Sequence, residues 1–348
     1  MTPLDPPPLE APDRLRAGSV DEEGSGREPG SRQHSAATEA SALRLALTVG
    51  PVLYHWPRDT LTAFYAEIAD SCATTIVIGE TVCARRREYK LPDWLALGRE
   101  LAGAGKEVVV AAQALIENEA DLRLLERQAQ QHEFAVEAAD ASALQIMAGR
   151  VPLVLGPHLN VYSREALAEY ADLGASRWVA PVELPLDAIA RVNPPGDPVR
   201  TANGEAFVTE AWAFGRMPLA FSARCFTARH HRVPKDDCGF RCLADPDGML
   251  LASTEDQPFL VLNGTQTQSA AVANLLADGP ALRAAGVAHL RLSPCATGFA
   301  RVLADFDAVM NDGAASDECA AAWSRLGVPG PFGNGYPRGL PGMTWSDT

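Results

Sequence analysis

TTIVIGETVCARRREYKLPDWLALGRELAGAGKEVVVAA, residues 74–112, holds one complete unit of the fold. Thr74–Gly79 is a short β-branched run, which suits a strand buried on both faces. Asp93–Ala102 reads as a helix, stopped by Gly103 and Gly105. Val108–Ala112 is the next buried strand. Two such strands joined by a helix of this length make a parallel βαβ unit.

The same alternation returns on both sides. Upstream, Leu43–Val49 alternates as a strand, and Asp59 is placed to cap a helix over Thr60–Ser71. Downstream, strands are expected over Phe134–Ala138, Pro152–Gly156, Arg177–Pro181 and Ala206–Phe214. Helices interleave with them over Asn118–Gln131 (Leu122, Leu125 and Ala129 inward), Ser142–Ala148, Arg164–Leu173 and Leu186–Val192. A long irregular insertion then runs from about Arg216 to Thr267, with Gly248–Ser253 and Pro258–Asn263 forming a small hairpin. Helices near Ala270–Ala277 and Pro280–Ala285 lead to an eighth strand, Ala288–Ser293, and a last helix, Phe299–Asn311. Eight strand–helix pairs predict an α/β fold, a (β/α)8 TIM-barrel-like domain with a cysteine-bearing insertion after strand seven. A doubly wound sheet is the alternative, because periodicity does not distinguish a closed sheet from an open one. No GxGxxG turn and no GxxxxGK[ST] loop is present, so nothing supports a dinucleotide or P-loop site.

The 348 residues carry 47% hydrophobic and 21% charged side chains, ordinary values for a globular chain. A net charge of −14 disfavours nucleic acid and anionic membranes as main partners. Residues 1–42, rich in Pro and mixed charge, are expected to be a disordered extension, and residues 327–348 a disordered Gly/Pro-rich tail. The body is then 43–326. No transmembrane segment and no secretory signal is expected, so the chain is read as cytoplasmic.

Seven cysteines in a reducing compartment point to metal binding or catalysis before disulfides. Three of them, Cys225, Cys238 and Cys242, fall in one polar stretch, and Cys83 follows strand two. Active sites of such barrels lie at the C-terminal ends of the strands, and only the long loop after strand seven reaches across to Cys83. Thiolates suit zinc or iron–sulfur clusters. The spacing Cys225-x12-Cys238-x3-Cys242 lacks the paired CxxC knuckles of structural zinc, which places a four-iron cube modestly ahead of zinc. Unrelated small buried cysteines are the third reading.

Several stretches carry a family resemblance: GPVLYHWPRDTLTAFY (50–65), IGETVCARRRE (78–88), DWLALGRELAGAGKEVVV (93–110), HLNVYS (158–163), RWVAPVEL (177–184), MPLAFSARCFTARHHRVPKDDCGFRC (217–242), VLNGTQTQS (261–269) and RLSP (291–294). Together they resemble peptidase family U32, the collagenase-like proteases, in the branch that works in oxygen-independent ubiquinone synthesis. The resemblance implies a 4Fe-4S cluster held by Cys83, Cys225, Cys238 and Cys242. It also implies a hydroxylase role with a homologous UbiU-like subunit in a heterodimer, assisted by a UbiT-like lipid carrier. The substrate would be a prenylated phenol, with prephenate as oxygen donor. The alternatives are a U32-type peptidase, or a non-catalytic iron–sulfur partner that stabilises UbiU or passes it electrons. Ser163 departs from the Asn frequent in the family at that position. Cys295 and Cys319 lie outside its ligand set.

No catalytic residue is assigned. Glu80 is placed to act near Cys83 or to pair with Arg85 or Arg87. Arg85, Arg86 and Arg87 are read mainly as a solvated basic face, with carboxylate steering as the functional option. Arg224 adjoins a candidate ligand and is placed to tune it. His158 and Asn160 are expected at the barrel mouth, His158 as a structural histidine. Glu183 and Glu210 form a possible acid–base pair. His230 and His231 are left out of the ligand set. Cys72 is expected in the core.

Overall fold

The computed structural model describes residues 44–347; the expected disordered extension at 1–42 lies outside them. Chain order is β1 (Ala46–Val49), α1 (Arg58–Ala69), β2 (Thr75–Ile78), α2 (Leu91–Gly103), β3 (Glu107–Ala111), α3 (Glu119–Gln130), β4 (Ala135–Ala138), α4 (Ala141–Met147), β5 (Leu153–Leu155), α5 (Arg164–Asp172), β6 (Ala175–Val179), α6 (Leu186–Val192), β7 (Val208–Phe221), α7 (Phe226–His230), β8 (Met249–Ala252), β9 (Pro258–Asn263), β10 (Gln266–Asn274), α8 (Gly279–Ala284), β11 (Val287–Leu292), α9 (Phe299–Asp312), α10 (Cys319–Arg325) and β12 (Phe332–Gly333). Strands β1 to β7 pair in parallel, each with the next, and β11 pairs in parallel with both β1 and β7. The sheet is thereby closed into an eight-stranded parallel barrel, and the doubly wound alternative is excluded.

Alternation along the strands sorts side chains into two cores. Ile76, Ile78, Val108, Val110, Leu290 and Leu292 join the large core shared with the helices. Val77, Val109, Ala111, Val154 and Val179 form a separate cluster inside the barrel. Charge shares that interior. Arg291 on β11 donates to Glu210 of β7 at 2.5 Å and to Glu137 of β4 at 2.6 Å, and all three are buried. Nearer the N-terminal end, Arg177 binds both carboxylate oxygens of Glu107 at 2.8 Å, and Thr75 donates to the same group at 2.5 Å. Glu210 is therefore committed to neutralising a buried arginine, and the acid–base pairing with Glu183 is not formed: Glu183 is exposed and accepts from Tyr162.

Two helix caps show the expected polar side chain at work. Asn118 accepts from Ala120 N at 2.8 Å ahead of α3, and Ser163 from Ala166 N at 3.2 Å ahead of α5. Asp59 instead lies in the first turn of α1, whose cap position is Pro57. Leu122 faces outward, 38% exposed, and Asp121, Leu125, Gln128 and Ala129 are the buried residues of α3.

Two further expectations about the elements fail. First, the insertion is not irregular at its root. β7 runs 14 residues, past the barrel rim, and returns as the antiparallel β10, to which β9 and then β8 add. Residues 270–274, expected within a helix, are the end of β10. Their Ala and Leu neighbours favour a helix intrinsically, but all nine residues of β10 are buried against neighbouring chain, so pairing overrides propensity. Gly215 (φ +112°) and Pro218, the latter beside shifts of register between β7 and β10, made an extended β7 look interrupted. Second, the segment 327–347 is ordered. β12 pairs with Val272 and Ala273 of β10, and Asn334 exchanges two 2.8 Å hydrogen bonds with Ser346. Its glycines and prolines serve close packing and turns.

Candidate metal centre

The β7–β10 extension creates the site by carrying the cysteine segment over the C-terminal mouth of the barrel. Its far turn is fixed to the loop after β2: Thr265 Oγ1 donates to Val82 O at 2.5 Å, and Ser222 N to Thr265 O at 2.9 Å. The segment after β7 is then tied down at several points. Phe226 N donates to Gly264 O at 2.8 Å, Trp56 Nε1 to Pro246 O at 2.7 Å, and Ala296 N to Asp247 at 2.8 Å. Arg85 donates to the carbonyls of Lys235 and Asp236, and Lys235 pairs with Glu117. Loops after β1, β2, β3 and β11 thus all hold the insertion.

This anchoring brings the four predicted cysteines into one neighbourhood. Cys83 lies in the β2–α2 loop, Cys225 caps α7, Cys238 follows a 3-10 turn at Lys235–Asp237, and Cys242 sits in another at Arg241–Ala244. All four are free thiols, Cys225 buried and the others half-buried. Burial raises the pKa of Cys83, Cys225 and Cys242 above the ordinary thiol value. The Cys83 and Cys238 charges add to the rise at Cys225, and those of Cys225 and Cys238 to the rise at Cys242, so the set is close enough to couple electrostatically. Cys225 Sγ accepts from Ala228 N at 3.4 Å. Glu80 accepts from Val82 N and Cys83 N, both at 2.9 Å, and so shapes the Cys83 loop; burial holds its pKa above the usual carboxylate range.

Arg86 corrects the reading of Arg85–Arg87 as a solvated face. Its guanidinium is buried, donating to Leu53 O at 2.7 Å and to Asn263 Oδ1 at 2.8 Å, 3.7 Å from Glu80 and in contact with the charge of Cys242 and Cys83. Gly264 (φ +63°) leaves room for it: a Cβ there would stand 2.8 Å from the guanidinium. Arg85 is half-buried, and Arg87 is the exposed one of the three. His55, also buried, lies between Cys242 (Nδ1 to Sγ 3.6 Å) and Glu88 (3.3 Å); burial and then Arg86 depress its pKa. His55 and Asn263 escaped the sequence reading. The only signal for them was their place inside the YHW and LNGTQ stretches.

Among the described residues no three His, Cys, Asp or Glu side chains are grouped as ligands of a single metal ion. The donor chemistry nevertheless suits a multi-iron cluster, whose ligands bind separate irons and stand wider apart than those of one ion. The four thiols lie close enough to feel one another's charge, Glu80 is bound to the amides of the Cys83 loop, and Arg86, a buried cation one of whose donors (Nε) has no partner, adjoins that loop.

The remaining predicted residues fall elsewhere. His158, Asn160 and Glu183 line a cavity of about 240 Å³ at the barrel mouth, with Leu219 and Phe221 as apolar wall. Burial and Arg291 lower the His158 pKa to about 4, and its ring meets Phe221 edge-on at 4.8 Å. Arg224 is exposed, as are His230 and His231. Cys295 is buried, with its pKa pushed up to about 12 by burial and by Asp247. Cys72 is exposed, not in the core, because α1 ends one turn short of it.

No helix among the described residues is long and apolar enough to cross a membrane. In fold comparisons, the U32 peptidase Mk0906 aligns at 10% identity over 72% of this chain and 93% of its own, TM-score 0.38. The dihydropteroate synthase of Burkholderia cenocepacia aligns at 16% identity over 80% and 94%, TM-score 0.35. The spore cortex-lytic enzyme SleL of Bacillus megaterium QM B1551 aligns at 13% over 75% and 74%, TM-score 0.36. Scores this low carry no argument about chemistry. The family comparison is stronger: the model of peptidase family U32 matches residues 58–309, from the first helix of the barrel to the last. The chain is a member of peptidase family U32.

Proposed function

We propose that this protein is a UbiV-type component of an oxygen-independent hydroxylase, holding a 4Fe-4S cluster on Cys83, Cys225, Cys238 and Cys242. It acts with a UbiU-like subunit, a UbiT-like carrier, a prenylated phenol and prephenate. The observation that supports this most is that four cysteines distant in sequence share one electrostatic neighbourhood at the end of the barrel where such folds do chemistry, two of them, Cys83 and Cys242, beside a buried arginine. When bound, the cluster supplies one-electron redox chemistry. The chain's own residues do the rest. Glu80 and the Ala228 N–H at the start of α7 orient the cysteine loops, and the β7–β10 extension carries them over the barrel mouth. Cluster binding takes the place of the thiol protons, as metal binding to cysteine generally does.

The test is anoxic purification of the full chain with assay of iron, acid-labile sulfide and the optical spectrum. About four irons per chain are expected, lost in each of the four Cys→Ala variants. One zinc and no iron would refute the cluster. A deletion strain should lose ubiquinone in anaerobic growth alone; unchanged quinone removes the pathway assignment. The second reading, a U32-type peptidase, has family membership in its favour. Hydrolysis of gelatin or casein by the metal-free chain would select it.

A further inference from the structure

We propose that Arg86 is the buried counter-charge of the four-cysteine site, and that its charge, not its hydrogen bonds, sets the reduction potential of the bound cluster. The inference rests on the cluster reading above.

A guanidinium out of water needs anionic partners, and among the described residues the one carboxylate that pairs with Arg86 is Glu80. Its side chain is 1% exposed. The two hydrogen-bond acceptors it holds, Leu53 O and Asn263 Oδ1, are neutral. Glu80 stands at 3.7 Å, and its nearer oxygen already accepts from the Val82 and Cys83 amides. The Nε donor is buried without a partner. Sulfur shares its surroundings: Arg86 N donates to Cys83 O at 2.9 Å, and the charges of Cys242 and Cys83 add to that of Glu80 in raising its pKa. Neutral thiols would leave the cation under-compensated, whereas four thiolates on an iron–sulfur cube carry net negative charge. Of the other cations nearby, Lys235 and Arg85 are committed to Glu117 and to backbone carbonyls, and Arg224, Arg229 and Arg241 are exposed.

Reduction adds one electron to the cluster and so one negative charge, which a neighbouring cation favours. Removing Arg86's charge therefore shifts the midpoint to more negative potential. The experiment compares wild type, Arg86→Lys and Arg86→Gln as anoxically purified full-length chains. Iron content is measured first, then the midpoint by dithionite titration followed by electron paramagnetic resonance. Arg86→Gln should either move the one-electron equilibrium at least tenfold toward the oxidised form, 59 mV, or lose its iron. Arg86→Lys, which keeps the charge and alters the hydrogen bonds, should load and stay within tenfold of wild type. Arg86→Gln loading fully at the wild-type midpoint overturns the proposal. So does Arg86→Lys failing in the same way as Arg86→Gln, which would assign the effect to guanidinium geometry. A wild type without iron refutes the cluster reading itself and this inference with it.

Discussion

Replacing Arg291 by Met tests whether the barrel interior is held by charge. Arg291 is 1% exposed, and its two partners, Glu137 and Glu210, are 3% and 0% exposed. The substitution keeps most of the side-chain volume and removes the cation, leaving two buried carboxylates facing one another across the barrel. Breaking a buried pair by removing one partner typically costs about 3–5 kcal/mol, because the surviving charge is left uncompensated. Glu137 loses its ion-pair partner and Glu210 keeps only the more distant Arg177 at 3.9 Å, so a loss within that range is expected, a large fraction of a whole domain's stability. The triple variant Arg291→Met, Glu137→Gln, Glu210→Gln removes all three charges and should recover most of the loss, since well-packed neutral replacements of buried ion pairs are often near neutral. Urea unfolding followed by far-ultraviolet circular dichroism reads both. A single variant within about 1 kcal/mol of wild type, or a triple variant no more stable than the single one, would refute the reasoning.

Two further outcomes follow from the same structure. Trp323 of α10 is fully buried and stacks on Phe306 at 6.1 Å, so Trp323→Ala should cost about 3–5 kcal/mol in the same urea experiment. His158 should stay neutral down to about pH 4. Because its folded pKa lies below the ordinary value of 6.5, its contribution to stability is complete above that value and lost as pH falls from there toward 4. NMR titration should show a His158 ring resonance unmoved between pH 8 and 5, and an ordinary midpoint near 6.5 would contradict the assigned burial.

Much of the barrel was legible in the sequence because each βα unit satisfies its own backbone and announces its buried face by local period. TTIVIG and VVVAA need no distant partner to be recognised as buried strands. The β7–β10 extension was illegible for the complementary reason. Gly215 and Pro218 break the local pattern of β7, and the alanines of β10 favour a helix until a neighbouring strand is supplied. The tail from Gly327 onward failed likewise. Its composition reads as disorder, yet pairing with β10 and the Asn334–Ser346 exchange satisfy its polar groups.

The candidate site divides in the same way. By itself the sequence determined the thiol chemistry, four candidate cysteines with spacing unlike a zinc knuckle, and the strand ends they follow. It also determined family membership, since the quoted stretches lie mostly within the region the family model covers. Tertiary structure alone decided that Arg86 turns inward while Arg87 faces solvent, that Glu210 serves Arg291 instead of catalysis, and that His55 lies against Cys242. Burial and charge pairing are properties of a site assembled from loops 30 to 200 residues apart. An arginine in a run of three looks the same in sequence whether it meets water or sulfur.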